Sequence, residues 1–71
     1  MKNRLKITKE LTAKRDMCGT AACPAIFESN RNSYVLIGKV IDAKKLGISK
    51  RVNKDEIVVE IPKNIIDNKS N

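Results

Sequence analysis

Residues 25 to 41 read AIFESNRNSYVLIGKVI, and this stretch decides the fold class. The runs AIFES and YVLIGKVI are rich in β-branched and aromatic residues, which fit extended strands. Between them, NRNS is a turn signal, because asparagine tolerates positive φ and Asn and Ser side chains hydrogen-bond to the local backbone. Two strands around such a turn predict a β-hairpin.

The second run of this hairpin is nearly continuous in Val, Ile and Leu. A strand of that kind is typically covered on both faces, so the run YVLIGKVI is predicted to be the central strand. Gly38 interrupts it. A glycine inside a strand indicates a bulge or the close approach of another backbone.

Before the hairpin, RLKITKEL at residues 4 to 11 alternates between apolar and polar side chains, which predicts a half-buried strand. The apolar face is formed by Leu5, Ile7 and Leu11. Lys9 breaks this face, so the strand is expected to fray, to bulge or to lie at a sheet edge. Pro24 has no N–H to donate, which places it at the start of a strand or on an edge.

After the hairpin, DAKKLG at residues 42 to 47 predicts a short helical turn with Asp42 as its N-terminal cap and Gly47 in the left-handed position after it. SKRVNKDE follows as a charged loop. EIVVEIP is an alternating strand with Ile57, Val59 and Ile61 on one face. PKNIIDN is a final turn that Pro62 can open and whose isoleucines can fold back onto the sheet.

These segments predict one domain over residues 1–71, mainly β with some helix (α+β), in the order β-β-β-α-β-α. The expected architecture is a small curved antiparallel sheet, or a partly open barrel, of about four strands with two short helical turns. Residues 1–15 form a basic N-terminal strand or arm, and residues 18–67 contain the hairpin, helical turn and final strand. Phe27 and Tyr34 are the only aromatic residues. Domains with so thin a core usually add a staple, a metal or a partner subunit, which favours a homodimer.

The net charge of +7 favours acidic partners such as nucleic acid, anionic lipid or an acidic protein face. A basic surface that only contacts solvent explains the charge equally well. No apolar run approaches the ~18 residues of a membrane span, and the basic N-terminus is not followed by the apolar segment of a secretory signal. We therefore expect a cytoplasmic protein with no membrane partner.

The basic residues form two clusters, and both are candidates for nucleic-acid binding. The first, the arm cluster, consists of Lys2, Arg4, Lys6, Lys9, Lys14 and Arg15. The second, the turn cluster, consists of Lys44, Lys45, Lys50, Arg51 and Lys54. Phosphate contacts from such clusters give salt-sensitive binding without sequence specificity. With so few aromatic residues to stack on single strands, a strand or arm in a duplex groove is the more plausible mode.

The two cysteines, Cys18 and Cys23, leave several interpretations open. They are a disulfide candidate, and a redox pair is also geometrically feasible, although its usual spacing is two residues at a helix N-terminus. A zinc site needs four ligands, so it would require the cysteines of two chains, and we predict no metal within one chain. Two free thiols, with Cys23 packed as a small hydrophobe, complete the alternatives. In each case we expect the cysteines to tie or pack the loop rather than to react.

Combinations of residues typical of catalytic sites are nearly absent from the sequence. There is no histidine, no serine has an evident base partner and no phosphate-binding glycine motif is present. The sequence therefore predicts no catalytic residue, no cofactor and no enzymatic activity.

Two resemblances concern longer patterns. LGI followed by KDEIVVEIP resembles the AbrB/MazE class of swapped-hairpin DNA-binding proteins. That resemblance implies an obligate dimer. In that class the Ile-Pro step precedes the Leu-Gly turn, whereas here Leu46-Gly47 comes before Ile61-Pro62. The pattern C…CPAIFES…YVLIGKVID…DEIVVEIPKNII, over residues 18 to 67, is similar to small uncharacterised bacterial proteins that often accompany helix-turn-helix regulators. That resemblance implies a regulatory accessory protein and assigns no functional residue.

Taken with the charge, these features predict a small non-enzymatic binding module. The leading hypothesis is a nucleic-acid-binding or transcription-regulatory accessory protein that acts through the basic clusters. The alternative is a protein–protein interaction module that binds an acidic partner or adds an edge strand.

Overall fold

The structure, a computed structural model, describes residues 4–18 and 23–70. Its strands are β1 (Ile7–Glu10), β2 (Ala25–Ser29), β3 (Tyr34–Ile37), β4 (Lys39–Ile41) and β5 (Val58–Glu60). Three short 3₁₀ turns cover Lys14–Asp16, Ala43–Leu46 and Ser49–Arg51, and the helix α1 covers Lys63–Asp67. The described strands form two antiparallel sheets, ordered β1-β2-β3 and β4-β5. The predicted mainly β, antiparallel class is confirmed, and the sheets do not close into a barrel.

The hairpin of β2 and β3 forms as predicted. Ala25 lies opposite Ile37 and Glu28 lies opposite Tyr34. In the turn, Asn32 adopts a positive φ of 58°, and the hydroxyls of Ser29 and Ser33 hydrogen-bond at 2.7 Å. The turn signal in NRNS therefore acts through the two properties expected of it, left-handed backbone at asparagine and local hydrogen bonds from serine.

The strand β1 lies at a sheet edge, and its register shifts between Ile7 and Lys9, so two of the three alternatives predicted from Lys9, the edge position and the bulge, are confirmed. Its apolar face is less covered than predicted. Ile7 remains 49 % exposed and Leu5 remains 48 % exposed, whereas Leu11 is only 2 % exposed. Leu11 is buried because it follows the end of β1, where the chain enters the core.

Gly38 divides the second run of the hairpin into β3 and β4, which belong to different sheets. A Cβ at this position would lie 2.5 Å from Ile61 Cγ2 and 2.8 Å from the Glu60 carbonyl oxygen. The predicted close approach is confirmed. The prediction of a central strand is wrong: β3 is an edge strand, and the central position belongs to β2. The chain consequently has five described strands where about four were expected.

The core is small and lies between the three-stranded sheet and α1. Leu11, Ile26 and Ile65 form a buried cluster, and Ile61 packs against it. Thr12 is also buried, and its hydroxyl accepts the Ile26 N–H at 3.0 Å. This bond satisfies a backbone donor that the β1–β2 ladder leaves open beyond the end of β1.

The helical pieces are short. Asp42 Oδ1 accepts the Lys44 N–H at 3.0 Å and Gly47 has a φ of 71°, so the cap and the left-handed position predicted for residues 42 to 47 are confirmed. Pro62 precedes α1, one position earlier than predicted, and Ile65 folds back onto the sheet while Ile66 stays 40 % exposed. The turns at Lys14–Asp16 and Ser49–Arg51 were not predicted, since three residues carry too little periodicity to be recognised.

Candidate nucleic-acid interface

The turn cluster lies on the connection between the two strands of the second sheet. This connection, residues 42 to 57, follows β4 directly and contains two of the 3₁₀ turns. All five basic side chains of the cluster are exposed: Lys44, Lys45, Lys50, Arg51 and Lys54. Five cations within eleven positions form a concentrated positive surface of the kind that attracts phosphates.

Two of the three acidic side chains of this connection, Asp42 and Glu56, hold its backbone, and the third, Asp55, is exposed. Asp42 accepts the Lys44 N–H as the cap described above. Glu56 Oε1 accepts the Asn53 N–H at 3.0 Å. Within residues 4–18 and 23–70, none of the five cations forms an ion pair with a carboxylate. Their charge is therefore directed to solvent and to incoming anions.

The arm cluster is organised differently. Asn30 accepts the Lys6 N–H at 3.0 Å through its side chain, and it donates to the Arg4 carbonyl at 2.9 Å. The backbone around Arg4 and Lys6 is thereby fixed to the end of β2, and the side chains of Arg4, Lys6, Lys9 and Lys14 are exposed. Lys2 lies outside the described residues.

Arg15 is part of a polar network that ties the first 3₁₀ turn to α1. Its guanidinium donates to Asn68 Oδ1 at 3.0 Å. The neighbouring Asp16 accepts from Asn64 at 2.7 Å and from Asn68 at 3.1 Å. Sequence reasoning assigned Arg15 to nucleic acid and missed Asn64 and Asn68, because no local pattern links residues about 50 positions apart. The structure gives Arg15 an internal partner that the turn cluster does not have.

The two clusters are carried by different sheets. The described part of the arm cluster lies before, on and after β1 of the three-stranded sheet, whereas the turn cluster lies between β4 and β5. The structure does not merge them into one element, so each has to be tested separately as a binding surface.

Cys18 and Cys23 are joined by a disulfide, with their Cα atoms 6.2 Å apart. Bonded sulfurs offer no thiolate to a metal, and no group of three metal-binding side chains occurs in the described part of the chain. Cys23 also borders a cleft of about 510 Å³, together with Ile37 and Ile61. The side chains of Lys39 and Glu60, which lie opposite each other, supply the charged groups of its lining.

A further surface, not anticipated from the sequence, lies on the second sheet. Val40 and Val59 lie opposite each other and are 66 % and 37 % exposed, and Ile57, two positions before Val59, is 68 % exposed. We call Val40, Ile57 and Val59 the apolar sheet face. The alternation of Ile57 and Val59 was recognised in the sequence, but their partner Val40 was not, because YVLIGKVI was interpreted as one covered strand.

No family model, curated protein or solved structure matches this chain. Among the described residues, no helix has the length and apolar character needed to cross a membrane.

Proposed function

We propose that this chain is a small non-enzymatic binding module that binds nucleic acid through its turn cluster. It acts as a regulatory accessory protein, in the cytoplasm and as a homodimer. The resemblance to proteins that accompany helix-turn-helix regulators agrees with this role. The observation that carries the proposal is the turn cluster itself, five exposed cations accompanied by three carboxylates, of which Asp42 and Glu56 accept backbone amides.

The form of binding follows from the geometry. The cations lie on consecutive short turns, and no helix in the described residues exceeds five residues, so this part of the chain offers no reading helix for the major groove. Phosphate contacts from turns position a protein on a duplex without reading its bases. We therefore expect binding that depends strongly on salt and weakly on sequence.

A protein–protein function is the second candidate, and the open sheet edges favour it. The strands β1 and β3 are both edges of the first sheet, and each strand of the second sheet has only one described neighbour. An open edge can accept an added strand, and the basic surface would steer an acidic partner towards it.

The test is a titration of a labelled ~20-bp duplex of arbitrary sequence over a range of salt concentrations. The logarithm of the association constant should fall linearly with the logarithm of salt, with a slope of about −0.9 for each phosphate contacted. In the double variant Lys50→Gln/Arg51→Gln the steepness of this slope should fall by about 2, because two phosphate contacts are removed.

The matched control is Arg31→Gln/Lys63→Gln, which removes the same charge from two exposed residues outside both clusters. Its slope should equal that of the wild type. An absence of duplex binding at ~50 mM salt, or equal slopes for the two double variants, would reject the turn cluster as the interface and favour the protein–protein function.

A further inference from the structure

The exposed fraction of the side chains on the apolar sheet face increases with distance from the core. Side chains alternate along a strand, so Ile57, Val59 and Ile61 follow one another on one side of the second sheet. Ile61 packs against the core cluster, Val59 is 37 % exposed and Ile57 is 68 % exposed. Val40, across from Val59, is 66 % exposed. One apolar surface thus begins in the core and ends uncovered in solvent.

A two-stranded sheet that is covered only at one end lacks the packing that normally stabilises it. Isolated two-stranded sheets are marginal in water, and they become stable when a further layer covers an apolar face. Within the described residues, the largest fully buried side chains are Ile26 and Ile65, and both lie on the first sheet and α1. The described residues therefore leave Val40 and Ile57 without a covering layer.

The total surface indicates how large this layer is. The accessible surface is 6085 Å², whereas a compact monomer of 7.9 kDa exposes about 4,400 Å². The radius of gyration is 13.9 Å, against about 11 Å for a compact chain of this length. The excess of about 1,700 Å² on one chain is about twice the ~800 Å² that each partner buries in a standard-size protein interface, so one such interface would cover about half of it.

We propose that the apolar sheet faces of two copies of this chain pack against each other about a two-fold axis. Such an axis requires a surface that is complementary to itself, and a face made of Val40, Ile57 and Val59 carries no charge that would meet its own equivalent. Two sheets packed face to face lie about 10 Å apart, which gives each second sheet the layer it lacks.

This pairing deepens the proposed function. Each copy carries a turn cluster between β4 and β5, so the dimer carries two of them, attached to the sheet that forms the interface. Two binding surfaces on one particle raise the apparent affinity for a duplex that reaches both. This last step rests on the proposed function, whereas the pairing of the sheets does not.

The experiment is sedimentation velocity of the full chain and of two variants, each over a range of concentrations. The wild type should sediment as a dimer of twice 7.9 kDa. Val40→Glu should raise the dissociation constant at least about a hundredfold, since each dimer would bury two carboxylates. The control Ile7→Glu, at a residue of similar chemistry that is 49 % exposed on β1, should leave the dimer intact.

A wild type that is monomeric at ~100 μM, or a Val40→Glu protein that still dimerises like the control, would overturn the proposal. Circular dichroism shows whether Val40→Glu is folded. If it is not, Val40→Thr decides, because threonine keeps the β-branched shape and should still raise the dissociation constant about tenfold. Salt-dependent DNA binding by a monomer would preserve nucleic-acid binding through the turn cluster while rejecting the homodimer, and a dimer that binds no DNA would do the reverse.

Discussion

At the scale of the single residue, Gly38 has the largest effect on architecture. Without a Cβ, its backbone lies against Glu60 and Ile61, and the chain passes there from the first sheet to the second. The same absence of a side chain lets the apolar run leave β3 and continue as an edge of a new sheet. One glycine thus explains why a sequence that resembles a covered central strand forms two exposed ones.

We predict that Gly38→Ala lowers the free energy of unfolding by about 1–3 kcal/mol, because the added methyl has to displace the Glu60 backbone as well as the Ile61 side chain. Urea denaturation measures this loss. The control is Gly47→Asn, where no atom lies within 4 Å of the added Cβ and asparagine tolerates the φ of 71°. Equal stability of Gly38→Ala and wild type would show that the close approach is not a constraint.

At the scale of the elements, polar side chains rather than apolar ones attach the first 3₁₀ turn to α1. Asp16 accepts from two asparagines of the C-terminal region, and Arg15 donates to one of them. A cation–π contact, in which Lys69 Nζ lies 5.7 Å from the centroid of the Tyr34 ring, links the residues that follow α1 to β3. These bonds hold α1 in position, and Ile65 of α1 completes the core.

We predict that Asp16→Ala destabilises the chain by about 1 kcal/mol, because two hydrogen bonds to a charged but only half-buried acceptor are lost. Thermal unfolding measures the change, with Asp67→Ala, an exposed acidic residue of α1, as the control. Arg15→Gln should likewise affect stability more than the salt dependence of DNA binding. Asp16→Ala and Asp67→Ala with the same unfolding midpoint would contradict the structural role of the network.

The elements also show how far sequence reasoning reaches. The hairpin, the bulged edge strand β1 and the Asp42 to Gly47 turn were predictable, because each depends on neighbours within a few positions. At Gly38 a bulge or a close approach was predictable, but the split into two sheets was not, because the approaching residues Glu60 and Ile61 lie more than 20 positions away. The turn cluster was recognisable from the sequence, because its five basic residues lie within eleven positions. The engagement of its carboxylates, the network at Asp16 and the exposure of Val40 depend on tertiary pairing, which no local pattern specifies.

At the scale of the whole molecule, the accessible surface is large and the buried core is small. The described core consists of Leu11, Ala25, Ile26 and Ile65, whereas Val40 and Ile57 of the apolar sheet face are 66 % and 68 % exposed. Small domains with so little buried area usually depend on a cross-link or a partner. The Cys18–Cys23 disulfide cross-links two positions that precede β2, so the second sheet would gain its covering layer only from the proposed partner.

If folding requires dimerisation, the unfolding temperature should depend on protein concentration. Tenfold dilution lowers the stability of a dimer against unfolding into separate chains by about 1.4 kcal/mol. The unfolding entropy of the dimer's roughly 140 residues is about 0.3 kcal/mol/K, so we expect the midpoint to fall by about 5 °C. Calorimetry or circular dichroism at several concentrations measures this shift. A midpoint that is constant over a hundredfold dilution would indicate a monomer that is stable alone.

The central claim, that a second copy completes the fold, is tested most directly by the mass of the native wild-type particle at micromolar concentration, recorded without reductant. The account predicts a particle of twice 7.9 kDa in which each chain retains its Cys18–Cys23 disulfide. A folded particle with the mass of a single chain would contradict it.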